Sequence, residues 1–198
     1  PDNLPIRYGN RFEDSLEQEL LENPGDLIQK PDSYDPADTQ KLMLAKVPVI
    51  YQGSLKGGSG SMIFSGRPDF LLRSDYRFEF TKTGLTAKKS GDLTAGYTAW
   101  DAKLSKTPKP EYQVQVGLYV DVLETLGLNA PGTHGLIQDS RAINEFTGDV
   151  LLANMTLKRS ASLDDVAAFI DSHPASIADF DELICTATSS VSYTPLPM

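Results

Sequence analysis

A strand-like run, Tyr97–Leu104, is followed closely by a helix-like run, Glu111–Leu126, and this pairing constrains the fold more than any other feature. Pro108 and Pro110 break the chain between the two, and Gly127 closes the helix. Within the helix, Gln115, Leu118, Tyr119, Val122 and Leu126 follow the i, i+3, i+4, i+7, i+11 stripe that turns toward a protein body. In the strand, side chains alternate between faces, so Asp101 and Lys103 share one face while Trp100 and Ala102 take the other.

The remaining pattern extends this unit on both sides. Phe12, Leu16 and Leu20 predict a helix over Asn10–Asn23, stopped by Asn23-Pro24-Gly25. Asp38 is placed as the cap of a short helix running to Lys46 and ended by Pro48. Val47–Leu55 and Met62–Arg73 read as the two strands of a hairpin, joined through Gly57-Gly58-Ser59-Gly60. Tyr76–Ala95 reads as a weak strand followed by a loop. Gly135–Asp139 and Asp149–Lys158 read as further strands, and Ser162 with Asp165 makes a capping-box pattern for a helix over Asp164–Ser172. Helix, strands, helix, strands, helix is an α/β arrangement around a mixed central sheet, and 198 residues suit a single domain.

Charge and cysteine content narrow the setting. No apolar run approaches the roughly 20 residues needed to span a bilayer, and no secretory pattern opens the chain. Pro1 in place of Met fits a processed chain or a piece of a longer protein. Cys185 is the one cysteine, which excludes an internal disulfide and fits a reducing, cytoplasmic setting. The net charge of −9 argues against a general nucleic-acid binder. Locally, however, Lys82, Lys88, Lys89, Lys103, Lys106 and Lys109 face only Asp92 and Asp101. That strip either tracks phosphates or forms a solvated lysine-rich loop.

Chemistry concentrates in a few residues. Asp101 beside Lys103, with Asp69 of Gly66-Arg67-Pro68-Asp69 on a neighbouring strand, makes a site for a divalent cation and an activated water. Gln115 stands at the head of its helical stripe where a packing helix would carry an aliphatic residue, and Tyr119 follows one turn later. Each residue also has a plainer reading. Glu13 would be a solvated helix residue, Asp69 a turn acid, Asp101 and Lys103 an exposed pair on an edge strand, and Gln115 a water-facing stripe end. His134 and His173 lie far apart without acids at ligand spacing, which argues against zinc. The glycine-rich segment lacks the ending of a phosphate-binding loop, and no Gly-x-Ser-x-Gly elbow is present.

In order, Phe12-Glu13, Gly66-Arg67-Pro68-Asp69, Asp101-Ala102-Lys103 and Gln115-Val116-Gly117-Leu118-Tyr119 resemble the PD-(D/E)xK nuclease superfamily, and most closely its RecB-like branch. The likeness covers Gly9 to Tyr119 and rests on a helix glutamate, a G-x-x-D strand, a D-x-K strand and a Q-x-x-x-Y helix. It implies a restriction-endonuclease-like core and metal-dependent hydrolysis of DNA phosphodiesters, in recombination, repair or defence. On that likeness Asp69, Asp101 and the Ala102 carbonyl would hold Mg²⁺ or Mn²⁺, with Glu13 acting on a water or a second ion. Lys103 would orient the attacking water or offset transition-state charge, and Gln115 and Tyr119 would position the substrate strand. Many RecB-like relatives add four cysteines around an iron–sulfur cluster; Cys185 alone does not support one here. The acidic balance leaves a helicase domain or partner to supply the grip on single- or double-stranded DNA. The rival expectation is an inactive nuclease-fold module that binds DNA or acts as a scaffold.

Overall fold

The computed structural model describes residues 4–22, 27–57, 62–91, 96–128, 133–148 and 191–195. The strand expected over Asp149–Lys158, the helix over Asp164–Ser172, His173 and Cys185 lie outside the described residues. In chain order the elements are α1 (Leu4–Glu22), β1 (Ile28–Gln29), α2 (Pro36–Leu44), β2 (Val49–Tyr51), β3 (Leu55–Gly57), β4 (Met62–Gly66) and β5 (Phe70–Arg73). They continue with β6 (Tyr76–Thr81), β7 (Gly84–Lys89), β8 (Tyr97–Lys103), α3 (Pro110–Thr125), β9 (Thr133–Gln138), β10 (Ile143–Thr147) and β11 (Val191–Pro195).

A six-stranded mixed sheet in the order β1-β2-β5-β8-β9-β10 forms the centre. β2, β5 and β8 are successively antiparallel, whereas β9 runs parallel to β8 after the crossover through α3. A three-stranded sheet, β11-β4-β3, and the β6–β7 hairpin complete the described strands. Among the described residues, no helix is long and apolar enough to cross a membrane.

Both faces of the central strands are buried, so β2 and β5 read as continuous apolar runs. Alternation still assigns each side chain to a layer. Val49, Tyr51, Phe70, Leu72, Trp100 and Ala102 pack with Leu16 and Leu20 of α1 and with Phe78, Leu85 and Ala87 of the hairpin. Ile50, Leu71, Tyr97 and Ala99 pack instead with Met43 of α2 and with Tyr119, Val122 and Leu123 of α3. Burying each leucine contributes about 1.5–3 kcal/mol, and Leu16 and Leu20, with Phe12 packed beside them, anchor α1. At the β8–β9 step, a Cβ on Gly135 would collide with the Asn144 carbonyl oxygen and lie 2.9 Å from the Trp100 ring, which demands glycine.

Several expected boundaries shift for identifiable reasons. α1 begins at Leu4 rather than Asn10. The cap of α2 is Asp35, whose carboxylate accepts from the Ala37 amide at 2.9 Å, while Asp38 lies inside the first turn and pairs with Lys41. The expected hairpin divides between two sheets. Its first strand breaks after Tyr51, where Gln52 takes a left-handed φ of 52°, and its second breaks at Arg67-Pro68. β3–β4 and β2–β5 are each antiparallel, so the reversal of direction holds while the continuity of each strand does not. Tyr76–Ala95 holds a full hairpin, β6–β7, rather than a weak strand and a loop. β10 was not expected at all.

Candidate active site

Across β2, β5 and β8, the register aligns Tyr51 with Phe70 and Phe70 with Trp100, the last apolar row at that end of the sheet. One step further brings Gln52, Asp69 and Asp101 side by side. The Gln52 amide donates to the Asp69 carbonyl at 2.8 Å, and the Asp69 amide donates to Asp101 Oδ1 at 3.2 Å. Asp69 Oδ2 accepts from the Ala102 amide at 2.7 Å. Asp69, just before β5, and Asp101 on β8 are therefore tied together through the backbone, so both side chains are fixed against the sheet end.

Lys103 shares the face of Asp101, as strand alternation requires, and its Nζ lies 3.0 Å from Asp101 Oδ2. The same ammonium donates to Gln115 Oε1 at 2.9 Å, and Gln115 Nε2 donates to the Tyr119 hydroxyl at 3.0 Å. The Tyr119 hydroxyl lies 3.5 Å from the Arg67 carbonyl, two residues before Asp69. Lys103 also stands 5.3 Å over the Tyr112 ring. The Q-x-x-x-Y helix thus reads out as a chain of polar contacts from the lysine back to the Asp69 loop.

The plainer readings of three residues do not describe this arrangement. Asp101 is 1% exposed on a central strand, not an edge, and Gln115 is 6% exposed rather than water-facing. Asp69 is held by the Ala102 amide across the strand pair, not left as a free turn acid. Glu13, on α1, is half-buried and feels the charges of Asp101 and Lys103.

Electrostatics mark the cluster as strained. Burial, then the Asp101 and Glu13 charges, push the Asp69 carboxyl well above the usual aspartate range. Burial and then Asp101 raise Glu13, against the opposing pull of Lys103. Burial pulls the Lys103 ammonium down, but Asp101, Asp69 and Glu13 outweigh it and hold its pKa above the ordinary lysine value. Three carboxyl groups crowd one ammonium, a charge conflict that a bound cation would relieve.

The donor set suits a hard divalent ion. Among the described residues, no three His, Cys, Asp or Glu side chains stand together as a ready cage. Mg²⁺ does not need one, because it keeps several waters and takes one or two carboxylates alongside substrate phosphates. Asp69 and Asp101 can supply those two. The Ala102 amide is given to Asp69, which leaves untouched the carbonyl role expected for this residue.

Gln52 is the site residue that sequence reasoning missed. It sits in an apolar run that reads as one strand, and beside it Gly53 is closely packed, a Cβ there lying 2.9 Å from both Leu71 and Thr39. The lysine-rich strip does not form one surface. Lys82, Lys88 and Lys89 lie on or beside the β6–β7 hairpin, with Lys88 3.7 Å from Glu79, whereas Lys103 turns inward toward α3.

Compared with protein-family models, curated proteins and solved structures, the chain matches none of them.

Proposed function

We propose that this chain is a metal-dependent nuclease of the PD-(D/E)xK kind, RecB-like, with a restriction-endonuclease-like core that hydrolyses DNA phosphodiesters. The observation that carries the reading is the register of β5 on β8. It seats Asp69 beside Asp101 with Lys103 at 3.0 Å, and joins Gln115 and Tyr119 to the same cluster. Four separate motifs, more than a hundred residues apart at their extremes, converge on one end of the sheet. A purely structural module has no physical need for that convergence of buried charge.

Asp69 and Asp101 would hold Mg²⁺ or Mn²⁺, and Glu13 would complete the acidic side from α1. When bound, the ion activates a water for attack and offsets charge on the phosphoryl oxygens and the leaving group. Lys103 holds its ammonium at the edge of the carboxylates, where it neutralises part of their charge and donates to an oxygen of the reacting group. Gln115 fixes that ammonium from the opposite side, and Tyr119 ties Gln115 to the loop that carries Asp69. Burial of Asp101 and Tyr119 keeps water from competing with these contacts.

Labelled single- and double-stranded DNA, incubated with the protein in Mg²⁺, Mn²⁺ or EDTA, tests the reading. Cleavage that requires the metal and is lost in Asp101→Ala and Lys103→Ala is the expected result. A folded protein that binds DNA but cuts under none of these conditions is instead the inactive module. Equal cleavage by the variants would trace the activity to a contaminant.

A further inference from the structure

We infer that Tyr34 and Arg67 form a stacking platform for an unpaired base at the edge of the site, so that the site acts on single-stranded DNA. The inference names a substrate class for the nuclease reading and rests on that reading for DNA as the ligand. Tyr34 is 65% exposed, yet both of its neighbours are fastened. The Asp35 amide donates to Ser33 Oγ at 3.1 Å, Ser33 Oγ donates to the Asp38 carboxylate at 2.6 Å, and Asp35 caps α2. An exposed ring held between two anchored residues loses little freedom when a base lands on it. The Arg67 Cζ lies 4.2 Å from the centroid of that ring, the shortest such contact among the described residues.

Arg67 is tied to the site through its backbone. It stands two residues before Asp69, at most about 7 Å along the chain. Pro68 restricts it to extended backbone, and its carbonyl lies 3.5 Å from the Tyr119 hydroxyl. Its charge is uncommitted. Arg73, Arg77 and Arg141 pair with Asp75, Glu79 and Glu19, whereas among the described residues Arg67 pairs with no acid. A guanidinium laid on a ring keeps its N–H edge for a phosphate. At Lys103 the pattern repeats, since Lys103 and the exposed Lys109 stand 5.3 and 5.8 Å over the Tyr112 ring. Cations interleaved with rings suit a single strand, whose phosphates meet the first and whose bases meet the second. A duplex hides its base faces and is gripped through its phosphates, which a chain of net charge −9 does poorly.

The test separates the ring from the charge. Tyr34→Ala removes the ring from an exposed position, Tyr34→Phe keeps it, and Arg67→Gln removes the cation. Binding of a labelled deoxythymidine homopolymer and of a blunt duplex is read by fluorescence anisotropy in EDTA over a range of salt. Thermal melting and Mn²⁺-dependent cleavage of both substrates accompany it. Expected for Tyr34→Ala are an unchanged melting temperature, about tenfold weaker binding of the homopolymer, and a KM for its cleavage raised to match while kcat is kept. Tyr34→Phe should bind like the wild type. Arg67→Gln should flatten the salt dependence by one phosphate contact, a slope change of about 0.7. Duplex binding should be weak and indifferent to Tyr34. A Tyr34→Ala variant that binds and cuts the single strand like the wild type overturns the inference and leaves the nuclease reading standing. So does a loss shared equally by the duplex. A protein that binds the homopolymer through Tyr34 but cuts neither substrate fails the catalytic part of the nuclease reading alone. One that neither binds nor cuts DNA removes both.

Discussion

Replacing Lys103 with methionine removes an ammonium from the acids and keeps an apolar stem over Tyr112. The Lys103–Asp101 pair is 3.0 Å apart, with side chains 20% and 2% exposed. At an effective dielectric of about 20, unit charges at that separation attract by about 5–6 kcal/mol. The cost of taking both ions out of water offsets part of this. What is lost on breaking the pair is about 3–5 kcal/mol, because a buried acid, Asp101, is left without its partner beside Asp69 and Glu13. Asp101→Asn supplies the contrast. It leaves two acids facing one ammonium that still donates to Gln115 at 2.9 Å, and it should cost about 1 kcal/mol. Urea unfolding at pH 7 in EDTA measures both. Adding Mg²⁺ should return part of the Lys103→Met loss, since a cation bound only to the folded state stabilises it. A Lys103→Met loss within about 1 kcal/mol, the range of an exposed pair, would refute the reasoning, as would a larger loss in Asp101→Asn.

Three further outcomes are expected. Asp69→Asn keeps the oxygen that accepts from Ala102 and the amide that donates to Asp101, but removes a carboxyl whose pKa is held well above normal. Such a group weakens the fold as pH rises through its folded pKa, so the variant should gain on the wild type from acid to neutral pH in EDTA melts while cleavage falls by about 10²-fold or more. Burial lowers the His134 pKa to about 4 from 6.5, so the unfolded chain takes up its proton first as pH falls. That contribution, about 3 kcal/mol, is whole above pH 6.5 and gone by about pH 4; urea midpoints of His134→Gln should therefore vary less over that window, and equal slopes would contradict this. Gly53→Ala places a methyl 2.9 Å from Leu71 and Thr39 and should cost about 1–3 kcal/mol in thermal melts.

The legible parts of the site were those encoded by short periods. Alternation placed Asp101 and Lys103 on one face, and the helical stripe placed Gln115 and Tyr119 together; both spacings survive in the Lys103–Gln115–Tyr119 contacts. The breaks at Gln52-Gly53 and Arg67-Pro68 were not legible, because each interrupts an apolar run that reads as one strand. Only tertiary pairing shows that the chain leaves one sheet for another there. β6–β7 and β10 escaped for the opposite reason. β6 and β10 carry at most one fully buried residue each, and the buried residues of β7 include Gly84 and Ala87, so neither sets a clear period of two. Gln52 meets Asp69 only through strand pairing, so no local pattern could have paired them.

The most direct test of the account is the position of Mn²⁺, located by its anomalous scattering in crystals of the protein grown near pH 7. One ion bonded to carboxylate oxygens of Asp69 and Asp101 at about 2.0–2.2 Å is expected, with Lys103 drawn away from Asp101. Crystals saturated with Mn²⁺ in which Lys103 still clasps Asp101 and the metal lies elsewhere would contradict it.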